Sequence, residues 1–390
     1  MTATAALALA AFAIGVDNYI VAALLPAMAD DLHESIAAVG LVASAYALPT
    51  ALLAPLFGPL SDRRGRRFTI LLGLTVFSVA AAACAVAPTL PLLLLARVVT
   101  GLGAAITLPA TLALAGDLPT VEDRGRAISV VAAMFPLSTL LGLPIGALVA
   151  VVGGWRASFV LVLLVGIAAA LFVYRFCRDR RAPAERVSYF APYRTVFGDP
   201  HAIRIMVVTL VWFLGSFGLF VYVGEFIHRS FGVPSEEAGL VYVVVGVVGI
   251  AATRLSSRVI AGVGPRRAVL TGLAMFAIGA TVLPLTAVSL PLAVAVFGFW
   301  AFGVWLGIPA QQTIVAGLSE SARGTMLAFN TSFQNAGGVV GPALTGRVIE
   351  IGGFALAGPW TGLVGLTALV LAWFVLPRVE RPTVAAAVGT

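Results

Sequence analysis

The length of its apolar runs, and the way charge interrupts them, most limits what this 390-residue chain can fold into. Uncharged stretches of about 20 residues match the ~30 Å hydrocarbon core of a bilayer at ~1.5 Å rise per residue. In hydrocarbon the backbone has only itself to hydrogen-bond with, so such runs read as helices. With 60% hydrophobic and 11% charged residues, the chain is too apolar for a soluble protein of this size and belongs to the polytopic membrane class. The sharpest interruption is Gly58-Pro59-Leu60-Ser61-Asp62-Arg63-Arg64-Gly65-Arg66-Arg67. Four arginines within five positions mark a tight turn between two spans on the cytoplasmic side.

Counting outward from this loop gives twelve predicted spans: 4–28, 38–60, 69–88, 91–116, 127–151, 155–176, 203–227, 237–259, 267–285, 290–316, 325–349 and 355–377. The long polar stretch between the sixth and seventh divides the chain into a first bundle (1–176), a cytoplasmic linker (177–202) and a second bundle (203–390). With both termini in the cytoplasm, every arginine except Arg97, Arg156, Arg229 and Arg347 falls on the cytoplasmic side or in the span end beside it. The opposite orientation would move most of that charge across the membrane.

The net charge of +7 is therefore a topology signal and not a nucleic-acid footprint, since the basic residues are all arginine and sit mostly in short loops. Cys84 and Cys177 are predicted at opposite membrane faces, too far apart to be bridged, and neither has metal-ligand company. His33, His201 and His228 form no metal spacing. The first apolar run starts without a basic segment, so it is read as a retained span and not a cleaved leader.

The two halves repeat. At an offset of 199, Gly65 and Arg67 meet Gly264 and Arg266, Arg124-Gly125 meets Arg323-Gly324, Gly142 meets Gly341, and Gly153-Gly154 meets Gly352-Gly353; Pro109 and Pro309 align at 200. Six spans return the chain to the side it started from, so the two copies are related by an axis along the membrane normal. Transporters that rock two halves about a central site are built this way.

The segment Gly58 to Arg67 resembles the signature loop between the second and third helices of the major facilitator superfamily. Leu95-Ala-Arg97-Val-Val-Thr-Gly101-Leu-Gly103 is similar to its fourth-helix signature, and Trp155-Arg156-Ala-Ser-Phe159 to the start of its sixth. Asp17-Asn18-Tyr19 with Leu25-Pro26 resembles the twelve-helix bacterial drug:proton antiporter branch. Two departures stand out: Ala261 occupies the repeat position of Asp62, and the antiporter pattern of the fifth helix is reduced to Gly142-Leu-Pro144-Ile-Gly146. The resemblance implies an all-α fold of two pseudo-symmetric six-helix bundles, in which the first and fourth helices face a central cavity.

Asp17 falls near the middle of the first span, where an ionised carboxylate costs about 2.5 to 3.5 kcal/mol even on a lenient insertion scale. Measured from Pro26 and Pro91 at the outer face, Asp17 and Arg97 lie at depths that agree within about 5 Å. Burial in oil favours the neutral acid and a nearby guanidinium favours the carboxylate, so the pair is the candidate proton site, with a purely structural pair as the alternative. Under the resemblance, Gly58, Asp62, Arg63, Gly65, Arg66 and Arg67 form a conformational latch against the region from Asp117 to Arg126. Glu225 reads first as a solvated rim charge and second as a further titrating group, and Arg347 with Glu350 as a rim pair.

The substrate lining is expected from Tyr19, Tyr46, Phe217, Phe220, Tyr222, Trp300, Trp305, Gln311, Gln312, Asn330 and Gln334: aromatic area with sparse amides, suited to neutral or cationic amphipathic solutes. The leading reading is a monomeric, proton-coupled exporter of such compounds in a bacterial inner membrane, with the proton gradient as its energy source and no cofactor or metal. An exporter of a sugar, nucleoside or other polar metabolite is the alternative, followed by a proton-coupled importer and a non-transporting receptor. No nucleotide-binding loop and no nucleophile-base spacing points to an enzyme.

Overall fold

In a computed structural model, residues 3–117, 127–178 (except 129, 132 and 136), 194, 196–319 and 323–377 are described, with the backbone alone at 55, 58–63, 235, 236 and 323–325. The described residues are helical almost throughout. In the first half the elements are α1 (Ala3–Leu32), α2 (Ile36–Arg64), α3 (Arg66–Ala85), α4 (Leu90–Gly116) and, after a π-turn at Ser138–Gly142, α5 (Leu143–Phe176). The second half contains α6 (Pro200–Phe220), α7 (Val223–Phe231), α8 (Tyr242–Val263), α9 (Pro265–Val282), α10 (Leu290–Ala316) and α11 (Arg323–Val375). Prolines open α4, α6, α9 and α10, where a missing N–H leaves no helical bond unmade.

Among the described residues, ten helices are long and apolar enough to cross a membrane, against the twelve spans expected. The difference lies at two places where helical residues run on through a predicted boundary with only a kink between them. Helical residues run through Ala133–Phe176 and Met326–Val375, 44 and 50 residues, or about 65 and 75 Å. Both lengths exceed the ~30 Å core about twofold, and both helices are broken by glycine. Gly154 has φ 72° and Gly353 φ 64°, a region where a Cβ would clash with the backbone. These are the repeat partners noted at an offset of 199, and Gly65 (φ 96°) and Gly264 (φ 86°) form a second such pair. The predicted seventh span is also interrupted, between Phe220 and Val223, and resumes as α7.

Within each half, helices approach through glycine. A Cβ on Gly103 of α4 would lie 2.8 Å from Gly73 O of α3, and one on Gly303 of α10 would lie 2.7 Å from Gly272 O of α9, the same packing in both repeats. The halves meet at the face opposite the arginine-rich loop. There α2 runs against α11 through Ala37 and Gly346, α1 meets Gly239 at Ala23, and Leu140 of the π-turn meets Gly246 of α8. Tyr222, between α6 and α7, seats its hydroxyl between Gly40 and Gly346 and donates to Pro342 O at 2.8 Å. Ser35 Oγ adds a 3.1 Å bond to Glu350 across the same face.

The glycine notch makes closure of this face sensitive to one methyl group. Gly40→Ala should displace the Tyr222 hydroxyl and move the population toward states open at this face. Tyr222→Phe should move it the same way by about 0.6 kcal/mol, the average for a membrane-buried hydrogen bond. Spin-label distances between α2 and α11 near Ala37 and Gly346 read the shift, and wild-type distributions in both variants would rule out the notch as a closure contact.

Candidate functional site

The chemistry that sequence places in oil is an ion pair. Asp17 of α1 and Arg97 of α4 are both fully buried, with Arg97 Nη1 2.6 Å from Asp17 Oδ1. Arg97 Nη2 donates to the Asp17 main-chain oxygen at 3.3 Å, and Nε points to Val42 O at 3.5 Å. Aromatic faces complete the cradle: the guanidinium carbon lies 4.5 Å from the Tyr46 ring centroid and 5.8 Å from that of Phe159. The Tyr46 hydroxyl donates to Ile14 O at 3.3 Å, so its ring is held in place. Tyr46, expected in the substrate lining, seats the arginine and is not among the residues lining the cavity described next. Asp17 Oδ2 has no hydrogen-bond partner among the described residues.

Two residues along α1, Tyr19 leaves this charged region and enters an apolar cavity between the halves. Its ring centroid is 5.9 Å from that of Phe217 and 6.2 Å from that of Phe220. Phe217 and Phe220 line the cavity with Trp300 and Trp305. Phe213, Ser216, Phe297, Ala301, Val304 and Ile308 complete one face each of α6 and α10, with Val245 of α8 and Thr139 of the π-turn. These were missed because both helices are apolar on every side, although 297, 301, 304 and 308 carry the i, i+3, i+4 spacing of a single face.

The Major Facilitator Superfamily model matches residues 7–263 and again 226–389. The chain belongs to the major facilitator superfamily. It is 25% identical over 374 residues to the uncharacterised transporter YwfA of Bacillus subtilis, covering 95% of this chain and 90% of the relative. Multidrug resistance protein 1 of the same organism is 25% identical over 331 residues (84% of each chain), and the probable sugar efflux transporter of Pasteurella multocida 24% over 365 residues (93% and 89%). Among solved structures, a bacterial homologue of the human lysosomal transporter Spinster, inward-facing and occupied, superposes with a TM-score of 0.81 at 19% identity over 95% of this chain and 96% of that one. This is a multi-pass membrane transporter of small molecules, and not an enzyme.

In this superfamily member the amides expected in the cavity have another position. Gln311 Nε2 donates to Thr209 Oγ1 at 2.7 Å, and that hydroxyl donates to Asn330 Oδ1 at 2.8 Å, so Gln311 and Asn330 pin α10 and α11 to α6 inside the second half. Gln312 is exposed and Gln334 half-buried, and neither is among the cavity-lining residues. Tyr222 also leaves the lining, for the closed face described above. Glu225 is not a solvated rim charge: its carboxylate is only 6% exposed and is paired with Arg229, whose side chain is 55% exposed. The break at Tyr222 rotates α7 relative to α6 and turns this acid inward. Arg347 and Glu350 do pair, at 2.5 Å.

For the signature loop, the side chains of Gly58, Asp62 and Arg63 lie outside the described residues, as does 118–126. Gly65 turns the chain into α3. Arg66 then pairs with Asp117 at the end of α4 (2.6 Å) and also donates to Ala113 O. Arg67 donates to Tyr174 O at 2.6 Å with its guanidinium 4.8 Å from the Tyr174 ring. These arginines bind within their own half, joining α3 to α4 and α5.

Removing one partner of a buried pair strands the other charge. Arg97→Gln should destabilise the purified protein by about 3 to 5 kcal/mol, and adding Asp17→Asn should restore a large part of that loss. Thermal unfolding in detergent measures both. Additive losses would mean that the two groups do not depend on each other.

Proposed function

We propose that this transporter is a proton-coupled exporter of small amphipathic compounds, of the drug:proton antiporter kind, working by alternating access in a bacterial inner membrane. The observation that carries the reading is the buried Asp17 carboxylate, with one oxygen on Arg97 and the other unpartnered, two residues from a tyrosine in the cavity wall. A proton on Oδ2 would release Arg97 to its backbone and aromatic partners, so the two sites on α1 would report to each other. Substrate pressing on Tyr19, Phe217 and Phe220 would move the helix segment that carries the acid.

In this reading each of the two glycine-broken helices crosses twice. The chain then has twelve crossings in two bundles of six, with both termini and the signature loop in the cytoplasm and the proton gradient as its energy source. Closure of the face away from the arginines supports an inward-facing resting state, in which Asp17 takes its proton from, or gives it to, the cytoplasmic side. Asp62 acts as a latch for the opposite state. The cavity favours apolar or cationic aromatic solutes over sugars. Apart from its tyrosine and tryptophans, its polar side chains are Thr139 and Ser216, too few to satisfy a polyhydroxyl ligand.

In proteoliposomes, Asp17→Asn should abolish transport driven by a pH gradient while leaving substrate counterflow intact. Phe220→Ala should weaken binding of an amphipathic dye and spare the proton dependence of what transport remains. Gradient-driven transport that survives Asp17→Asn would remove Asp17 from the coupling step.

A further inference from the structure

A second groove lies on the lipid side of the molecule, between α9 and the end of α11. Its floor is Leu270 and Ala274 from α9 with Leu369 and Val370 from α11, and its wall is Trp373 and Phe374, 52% and 80% exposed. Arg266, Leu270 and Ala274 follow one another at i, i+4 and share one stripe of α9, so the guanidinium stands at the mouth of the groove on the arginine-rich face. Arg266 Nη2 donates to Trp373 O at 2.7 Å and Nε to Leu376 O at 3.2 Å, and its guanidinium carbon lies 4.9 Å from the Trp373 ring centroid. No carboxylate pairs with it among the described residues, and Nη1 has no partner there.

The first half contains the same clip with different surroundings. Arg67 holds Tyr174 as Arg266 holds Trp373, at an offset of 199 in both residues. At that offset Phe374 replaces Arg175, and Ala261 replaces the acid Asp62 of the loop. The second half thus loses a charge from the groove wall and an anion from the loop. What remains is an apolar slot headed by a positive charge that no residue of its own loop offsets. Arg267 adds to that charge.

We propose that this groove is a binding site for an anionic phospholipid of the leaflet on the arginine-rich face. The phosphate sits on Arg266 and one acyl chain runs along Leu270, Ala274 and Leu369 beneath Trp373. The site depends on the membrane topology and not on the proton chemistry of Asp17, because its readout is lipid retention and not transport.

Native mass spectrometry of the purified full-length protein, with phosphatidylglycerol and phosphatidylcholine of identical acyl chains, tests it. Wild type should retain phosphatidylglycerol about fivefold better, the ratio one arginine supplies near a membrane surface. Arg266→Gln should bring the two lipids level, and Ala274→Trp, which fills the floor and leaves the guanidinium clip in place, should reduce retention of both. Equal retention by wild type, a preference that survives Arg266→Gln, or displacement of the lipid by inorganic phosphate at matched concentration would overturn the site. Should Arg266→Gln fail to fold, Ala274→Trp alone decides: lost retention supports the groove and full retention overturns it.

Discussion

Two opposite charges held 2.6 Å apart, both fully buried, are the constraint on which the rest of this molecule depends. Either charge alone is costly at that depth, and their mutual attraction offsets desolvation only when the geometry is close and the remaining donors are met. The fold meets them with main-chain oxygens of Asp17 and Val42 and with the faces of Tyr46 and Phe159. One oxygen of the Asp17 carboxylate has no hydrogen-bond partner among the described residues, and it is there that the proposed proton would bind.

The internal repeat shows how one backbone carries two chemistries. Gly103 and Gly303 pack against equivalent partners, so at an offset of 200 the position of Arg97 in the second half is Phe297. At 199 the position of Asp17 is Ser216. Both Phe297 and Ser216 line the apolar cavity. The place used for charge in one half lines the apolar cavity in the other, and Tyr19 links the two along a single helix.

The charged loop, the repeat and the depth match between Asp17 and Arg97 were all legible in the sequence. Each depends on a residue type that hydrocarbon or backbone geometry penalises: arginine out of water, glycine at positive φ, carboxylate in oil. The places of Tyr46, Tyr222, Gln311 and Asn330 were not legible. On helices that are apolar all round, periodicity does not say which face turns inward, so an aromatic or amide has several neighbours to choose from. Glu225 was misplaced for a different reason: a two-residue interruption after Phe220 changes the angular register that a continuous span would have had. The two breaks in the long helices were legible too, since the predicted spans end at 151 and 349 and resume at 155 and 355, on either side of Gly154 and Gly353.

Infrared difference spectroscopy of the purified protein in membranes, recorded between high and low pH, tests most directly whether the Asp17 carboxylate trades its guanidinium partner for a proton. The account predicts a protonated-carboxyl band from a group in an apolar environment, absent in Asp17→Asn and shifted when an amphipathic substrate is added. A spectrum in which Asp17→Asn removes no such band, with and without substrate, would contradict it.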